Sequence, residues 1–123
     1  MFPGMSEAKT YTGGCHCGKV RYEVSTDLAR LTTCNCSICS KRGHVMTFVS
    51  GDAFKLLSGE GELTDYQFNK KNVHHLFCKA CGIESFARGT GKNGDTNYMI
   101  SVRCLDGADL GGRDIPEFDG KKL

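Results

Sequence analysis

The sequence predicts a small, mainly β domain whose fold is stabilised by bound metal. Three observations carry this prediction: short segments in which apolar and polar residues alternate, 16 glycines that suit frequent turns, and 8 cysteines in closely spaced groups. The chain has 123 residues, of which 39% are hydrophobic and 24% charged, a usual composition for one globular domain with a modest core. We therefore expect a single antiparallel β domain.

The expected strands follow the alternation along the chain. Val20, Tyr22 and Val24 alternate with polar neighbours, which is typical of a half-buried strand. Further strands are expected over residues 44–49, 54–57, 63–68, 73–77 and 98–102. The segments on either side of SGEGE, residues 58–62, are expected to pair as a hairpin.

Helical signals are weak, and we expect only short turns over residues 37–42 and 106–110. We expect the folded domain to cover residues 11–119, between loose ends at 1–10 and 120–123.

Charge and hydropathy argue against two classes of partner. The formal net charge of +2 is too small to indicate a nucleic-acid-binding surface. The sequence also lacks the run of about 18 apolar residues that a membrane-spanning helix needs. The first residues, MFPGMSEAKTYTGG, lack the charged start and apolar stretch of a secretory signal. We therefore expect a cytoplasmic protein that binds neither nucleic acid nor membrane.

The cysteines favour metal binding over a disulfide framework. Disulfides are rare in a reducing cytosol, and cysteines spaced C-x-C or C-x-x-C pair poorly with each other. The same spacings aim two sulfurs at one ion through a tight turn, and the separation of the groups along the chain is typical of zinc. Neither the runs of iron–sulfur ferredoxins nor a C-x-x-C-H haem site nor an H-x-E deaminase motif is present.

Ligand counting divides seven of the cysteines into two sites. A structural zinc has four protein ligands, whereas a catalytic zinc has three and an open position. The groups CHC and CKAC supply a closed set, Cys15, Cys17, Cys78 and Cys81. The group CNCSIC then leaves Cys34, Cys36 and Cys39 as an open set. The closed site would join the start of the domain to its later half, so its metal would contribute directly to folding.

Another interpretation makes the triplet a second structural site, completed by a fourth ligand from this chain or from another subunit. The candidate ligands are Cys104, His44, His74 and His75. The favoured role of Cys104 is that of a small buried apolar residue. His16 is expected to be exposed, and His74 and His75 face opposite sides of a strand, so one of them can line a cavity.

Charged residues close to the triplet are candidates for substrate binding. Lys41, Arg42 and His44 follow it directly and suit the recognition of carboxylates, although a solvated turn is the alternative role for the first two. Arg103 and Asp106 are expected to form an ion pair.

Four segments together resemble a known family. GGCHCGKVRYEV, CNCSICSKRG, HHLFCKACGIESFARG and ISVRCLDGADL are similar to the glutathione-dependent formaldehyde-activating enzymes, a family that also includes centromere protein V. The resemblance runs from about Tyr11 to Asp119 and keeps the order and spacing of the cysteine groups. It implies a β-rich fold shared with the small zinc-binding Rab exchange chaperones. It also implies two zinc ions per chain, one structural at Cys15, Cys17, Cys78 and Cys81, and one of the catalytic type at Cys34, Cys36 and Cys39.

The activity that the resemblance implies is the attachment of formaldehyde to glutathione to give S-hydroxymethylglutathione, classed by its reverse reaction as that of a carbon–sulfur lyase. Two other function classes compete with it: a zinc-stabilised binding scaffold without catalysis, and a zinc carrier or redox sensor. An open triplet beside a cavity would favour catalysis, and a triplet closed by protein would favour a scaffold.

Overall fold

The protein is described by a computed structural model that covers residues 8–68, 72–91 and 93–122. Its strands are β1 (Lys9–Gly14), β2 (Arg21–Thr26), β3 (Thr33–Cys34), β4 (Met46–Ser50), β5 (Phe54–Ser58), β6 (Leu63–Tyr66), β7 (Val73–Cys78), β8 (Phe86–Thr90), β9 (Thr96–Ser101) and β10 (Glu117–Phe118). The one α-helical turn in these ranges is α1 (Cys39–Arg42), and short 3-10 turns lie at Gly51–Ala53, Glu60–Glu62, Val102–Cys104 and Gly120–Lys122. The predicted mainly β fold with antiparallel sheets is confirmed.

The strands form a three-stranded sheet, a five-stranded sheet and a short parallel pair. The orders are β1-β2-β5, β4-β9-β8-β7-β6 and β10-β3. The two larger sheets share one core, in which Tyr22 of the first sheet is fully buried beside Phe86 and Ile100 of the second. The Tyr22 hydroxyl donates to the Ser85 carbonyl oxygen at 2.9 Å, so its one polar atom is satisfied within the apolar core.

Two local predictions are wrong because long-range pairing decides the structure. The segments around SGEGE do not form a hairpin, since β5 pairs with β2 and β6 pairs with β7 in the other sheet. The Lys79 N–H donates to the Glu62 carbonyl oxygen at 2.8 Å, which directs the chain towards the five-stranded sheet. Asp106 pairs with Arg21 and not with Arg103, whereas the short turn expected over residues 106–110 is present at residues 106–107.

Both faces of the five-stranded sheet carry apolar side chains. One face presents Ile100 and Phe86 to the core. On the other face, Phe48 lies opposite Met99, and Met99 lies opposite Ala87, so these side chains form a row across β4, β9 and β8. His75 of β7 lies opposite Ala87 and continues the row. This second face adjoins the cysteine triplet.

The chain end covers one side of the triplet. Glu117 and Phe118 of β10 pair with Thr33 and Cys34 of β3, and the Asn35 N–H donates to the Phe118 carbonyl oxygen at 3.2 Å. Gly120, expected to be part of a loose end, is buried in a 3-10 turn. The domain limits of 11 and 119 and the loose segments 1–10 and 120–123 stay predictions, and residues 1–7 and 123 lie outside the described ranges.

Replacement of Gly120 by alanine is expected to disturb the triplet alone. A Cβ at position 120 would lie 2.5 Å from Cys34 Sγ and 3.1 Å from Cys36 Cβ, so that one ligand would have to move. We expect the variant to lose metal from the triplet and to keep it at the four-cysteine site, as measured by metal content per chain. Gly61→Ala is the matched control, because a Cβ there meets nothing within 4 Å. Unchanged metal content in Gly120→Ala would contradict the expected contact.

In the described part of the chain, no helix has both the length and the apolar character needed to cross a bilayer. The sequence also predicts that Lys70 and Lys71 are surface charges, but both residues lie outside the described ranges.

Candidate metal centres and the adjoining cavity

The four-cysteine group joins the two larger sheets. Cys15 and Cys17 lie in the turn between β1 and β2, Cys78 ends β7, and Cys81 lies in the turn that follows it. Their ligand atoms all lie within 4.8 Å of one another, and Cys17 Sγ is 3.6 Å from both Cys15 Sγ and Cys78 Sγ. With Zn–S bonds of about 2.3 Å, tetrahedral geometry places sulfurs about 3.8 Å apart. The spacing therefore fits one zinc ion, and none of the eight cysteines forms a disulfide.

Tight turns present these sulfurs. The Gly82 N–H donates to the Cys78 carbonyl oxygen at 2.8 Å, and Gly82 has a φ of 82°, as its place after Cys81 predicts. Gly18, after Cys17, has a φ of 86°. The Val20 N–H donates to Cys15 Sγ at 3.3 Å and so favours the thiolate form of that ligand.

Ionisation of Cys81 and ionisation of Cys17 oppose each other in the four-cysteine group. Burial opposes the ionisation of Cys81, but hydrogen bonds from backbone N–H groups and neighbouring thiols outweigh it and lower its pKa to about 6. At Cys17, a backbone hydrogen bond from Lys19 favours the thiolate, yet burial and three neighbouring sulfurs raise the pKa to about 11. One thiolate thus suppresses the next, and a dication bound among them would remove that conflict.

The triplet combines a strand end with a helical turn. Cys34 ends β3, while Cys36 and Cys39 lie three residues apart around the start of α1, where the Ser40 N–H donates to the Cys36 carbonyl oxygen at 2.9 Å. Residues three apart in a helical turn share a face, so both sulfurs point the same way. The three ligand atoms lie within 4.8 Å of one another.

Among the described residues, no fourth His, Cys, Asp or Glu joins the triplet. Of the four candidates, His74 Nδ1 lies 2.7 Å from Asp65 Oδ2, and His75 Nδ1 lies 3.0 Å from Glu84 Oε2. Cys104 is half-buried in a 3-10 turn, beside a separate and smaller pocket. His44 lies beside the triplet without being part of it.

A cavity of about 560 Å³ adjoins the triplet. All three triplet cysteines line it, together with Phe48, Met99 and Ala87 from the second face of the five-stranded sheet. Its remaining walls include Ile38, Phe68, Val73 and Phe118, and its polar lining includes Arg42, His44, His75 and Glu84. The candidate ligands of the second metal site therefore face a space large enough for a small molecule.

A buried ion pair supports the polar end of this cavity. The Arg42 guanidinium pairs with the Glu84 carboxylate, whose side chain is only 2% exposed, and Glu84 also contacts His75 Nδ1. Arg42 follows Cys39 by three residues and so lies on the same face of the helical turn. Phe68 stacks on the His75 ring with 5.6 Å between ring centroids, which holds the imidazole in place.

Both histidines of the cavity are neutral at pH 7. Burial lowers the pKa of His75, and the charge of Arg42 adds to that effect. Burial and the same guanidinium lower the pKa of His44. Since Glu84 is ion-paired with Arg42, neutral His75 donates its Nδ1–H to that carboxylate and keeps Nε2 as the unprotonated nitrogen.

The three candidate substrate residues occupy different places. Arg42 and His44 line the cavity. Lys41 is exposed and lines a shallow pocket on the outer side of the helical turn. Glu84 does not stand out in the sequence, because its importance comes from burial and from a partner 42 positions away. Position 16 is exposed, as expected for its histidine.

Removal of the Glu84 carboxylate is expected to destabilise the fold. Glu84→Ala would leave the Arg42 guanidinium, whose side chain is 25% exposed, without its counter-charge. Breaking a buried pair from one side costs about 3–5 kcal/mol. We expect a loss of roughly 3 kcal/mol in the free energy of unfolding, because Arg42 keeps some contact with water. Urea titration of the metal-loaded protein measures it.

The exposed Arg21–Asp106 pair supplies the matched control, with side chains that are 34% and 55% exposed. Asp106→Ala is expected to cost less than about 1 kcal/mol. Equal losses in the free energy of unfolding for the two variants would show that the Arg42–Glu84 pair stabilises the protein no more than an exposed pair does.

Comparison with known proteins agrees with this arrangement. A crystal structure of a Rhodobacter sphaeroides protein is similar, with a TM-score of 0.76 and 30% sequence identity, over 87% of this chain and 99% of that one. The family model described as glutathione-dependent formaldehyde-activating enzyme matches residues 10–115, which include all seven cysteines of the two groups. The chain therefore belongs to the family of glutathione-dependent formaldehyde-activating enzymes.

Proposed function

We propose that the protein catalyses the addition of the glutathione thiol to formaldehyde and, in reverse, acts as a carbon–sulfur lyase. Family membership supports glutathione-dependent formaldehyde activation in general terms. The observation that carries the specific proposal is the triplet, whose three sulfurs open into a cavity and have no fourth partner among the described His, Cys, Asp and Glu side chains. We place the reaction in the cytoplasm, where glutathione sets the thiol poise.

Two zinc ions per chain are part of this proposal. Cys15, Cys17, Cys78 and Cys81 would hold one ion in a closed site, and Cys34, Cys36 and Cys39 would hold the other. At the triplet, bound zinc would supply an open coordination position and lower the pKa of a thiol placed there.

The side chains of the cavity move the proton. His75 keeps Nε2 unprotonated while its Nδ1–H is donated to Glu84, so this imidazole accepts the proton that the glutathione thiol releases. The sulfur then bonds to the carbonyl carbon, the π electrons of C=O move to oxygen, and the proton returns to that oxygen. Arg42, fixed by Glu84, lies beside the developing oxyanion and stabilises it.

An exchange experiment tests the reaction. With ¹³C-formaldehyde and glutathione, NMR exchange spectroscopy measures how fast S-hydroxymethylglutathione forms with and without zinc-loaded protein. We expect the exchange rate to rise in proportion to protein concentration, and His75→Gln to reduce that increase by about 100-fold, as loss of a general base does. An exchange rate equal to the spontaneous one would contradict catalysis and favour the scaffold function.

A further inference from the structure

The cavity offers far more apolar surface than a one-carbon substrate requires. Formaldehyde adds only a hydroxymethyl group to the glutathione sulfur, whereas the cavity of about 560 Å³ lies within the size range of pockets for drug-sized ligands. Two of its lining residues are largely exposed: the side chain of Phe48 in β4 is 61% exposed and that of Phe118 in β10 is 52% exposed. Clustered apolar side chains left open to water mark a binding surface.

The strands that form this apolar surface carry apolar residues on both faces of the sheet. In β9, Ile100 is fully buried in the core while its neighbour Met99 faces the cavity. In β8, Phe86 packs in the core while Ala87 faces the cavity. A sheet face that met only water would carry polar residues at positions such as 99 and 48. Their apolar character indicates an apolar occupant.

Charge on the described walls points the same way. Arg42 is the one Lys or Arg side chain among the described lining residues, and its guanidinium is already paired with the Glu84 carboxylate. Apart from that one guanidinium, the described walls therefore offer the peptide carboxylates of glutathione no Lys or Arg side chain. They suit instead the carbon group attached to its sulfur, because the triplet lies at the wall of the same cavity.

We propose that the cavity receives the apolar chain or ring of a glutathione S-adduct, so that aldehydes larger than formaldehyde are preferred carbonyl partners. This inference rests on the proposed function and keeps its chemistry. The thiol sulfur bonds to the carbonyl carbon, the C=O π bond becomes a C–O single bond, and the thiol proton ends on oxygen. No oxidant or reductant is consumed.

A series of stable thioethers separates cavity binding from catalysis. Isothermal titration calorimetry of the zinc-loaded protein with S-methyl-, S-butyl- and S-hexylglutathione measures how affinity depends on chain length. Each of the five additional methylenes is expected to raise affinity about fourfold when it is buried, which gives about a 1,000-fold difference between the methyl and hexyl compounds. Equal affinity for the three compounds would overturn the inference.

Two substitutions locate the effect. Phe48→Ser removes a cavity wall and is expected to reduce the hexyl-to-methyl ratio to about tenfold. Leu57 of β5 is also exposed, at 48%, but does not line the cavity, and Leu57→Ser is expected to keep the wild-type ratio. An equal ratio in both variants would place the alkyl chain elsewhere and overturn the inference.

The formaldehyde exchange assay distinguishes the two proposals. Catalysed formaldehyde exchange with no dependence on chain length would overturn the apolar preference and leave the proposed function standing. A steep dependence on chain length without catalysed exchange would support the apolar site and overturn the proposed reaction.

Discussion

Cys36→Ser is expected to remove metal from the triplet and to abolish turnover, while the rest of the domain stays folded. A serine hydroxyl is not ionised at neutral pH and is a harder donor than a thiolate, so only Cys34 and Cys39 would remain as strong zinc ligands. Two ligands do not hold zinc against dilution. The metal content should fall from about two ions per chain to about one.

The fold is expected to survive because the triplet lies outside the core. Cys36 is only half-buried, and no triplet cysteine belongs to the cluster of buried side chains around Tyr22. Circular dichroism and the urea midpoint should therefore stay close to wild type, while catalysed formaldehyde exchange falls to the spontaneous rate.

Cys104→Ser is the matched control for this prediction. It makes the same chemical change in a cysteine that belongs to neither group. We expect it to keep its metal content and its exchange rate. Full activity of Cys36→Ser with only one metal ion per chain would show that the triplet is not the catalytic metal site.

Spacing along the chain predicts much of the metal centres but little of the cavity. The grouping of Cys15 and Cys17 with Cys78 and Cys81 follows from ligand counting, and the positive φ of Gly82 follows from its place in the turn. Both depend on residues that are close in sequence or of one chemical type. Such local signals survive folding because the backbone geometry of a tight turn is set within a few residues.

Long-range partners carry no comparable signal. In the sequence, Glu84 is one charged residue close to the cysteines at 78 and 81. Only the structure shows that it is buried against Arg42 and His75. The sequence does not predict the pairing of β10 with β3 either, because two residues per strand give no detectable alternation of apolar and polar residues. The hairpin predicted around SGEGE is wrong for a different reason. The local turn signal is strong, but β5 pairs with β2 and not with β6.

Cys78→Ser is expected to have the largest effect on folding of any single substitution in the four-cysteine group. Cys78 is fully buried at the end of β7 and belongs to the core as well as to the metal site. A structural zinc contributes about 10–16 kcal/mol to the folding of small zinc domains, whereas the net stability of a domain is only about 5–15 kcal/mol. The free energy lost with this ion is therefore expected to exceed the net free energy that stabilises the folded domain.

Cys17→Ser separates loss of metal from loss of packing. Cys17 belongs to the same group but is exposed, so its replacement removes a ligand without opening a hole in the core. If metal ties the two larger sheets together, both variants should lose cooperative unfolding and near-ultraviolet circular dichroism, and excess zinc should restore Cys17→Ser more readily than Cys78→Ser. A normally folded Cys17→Ser protein that lacks metal at this group would contradict the structural role, because the turn after β1 would then stay in place through packing alone.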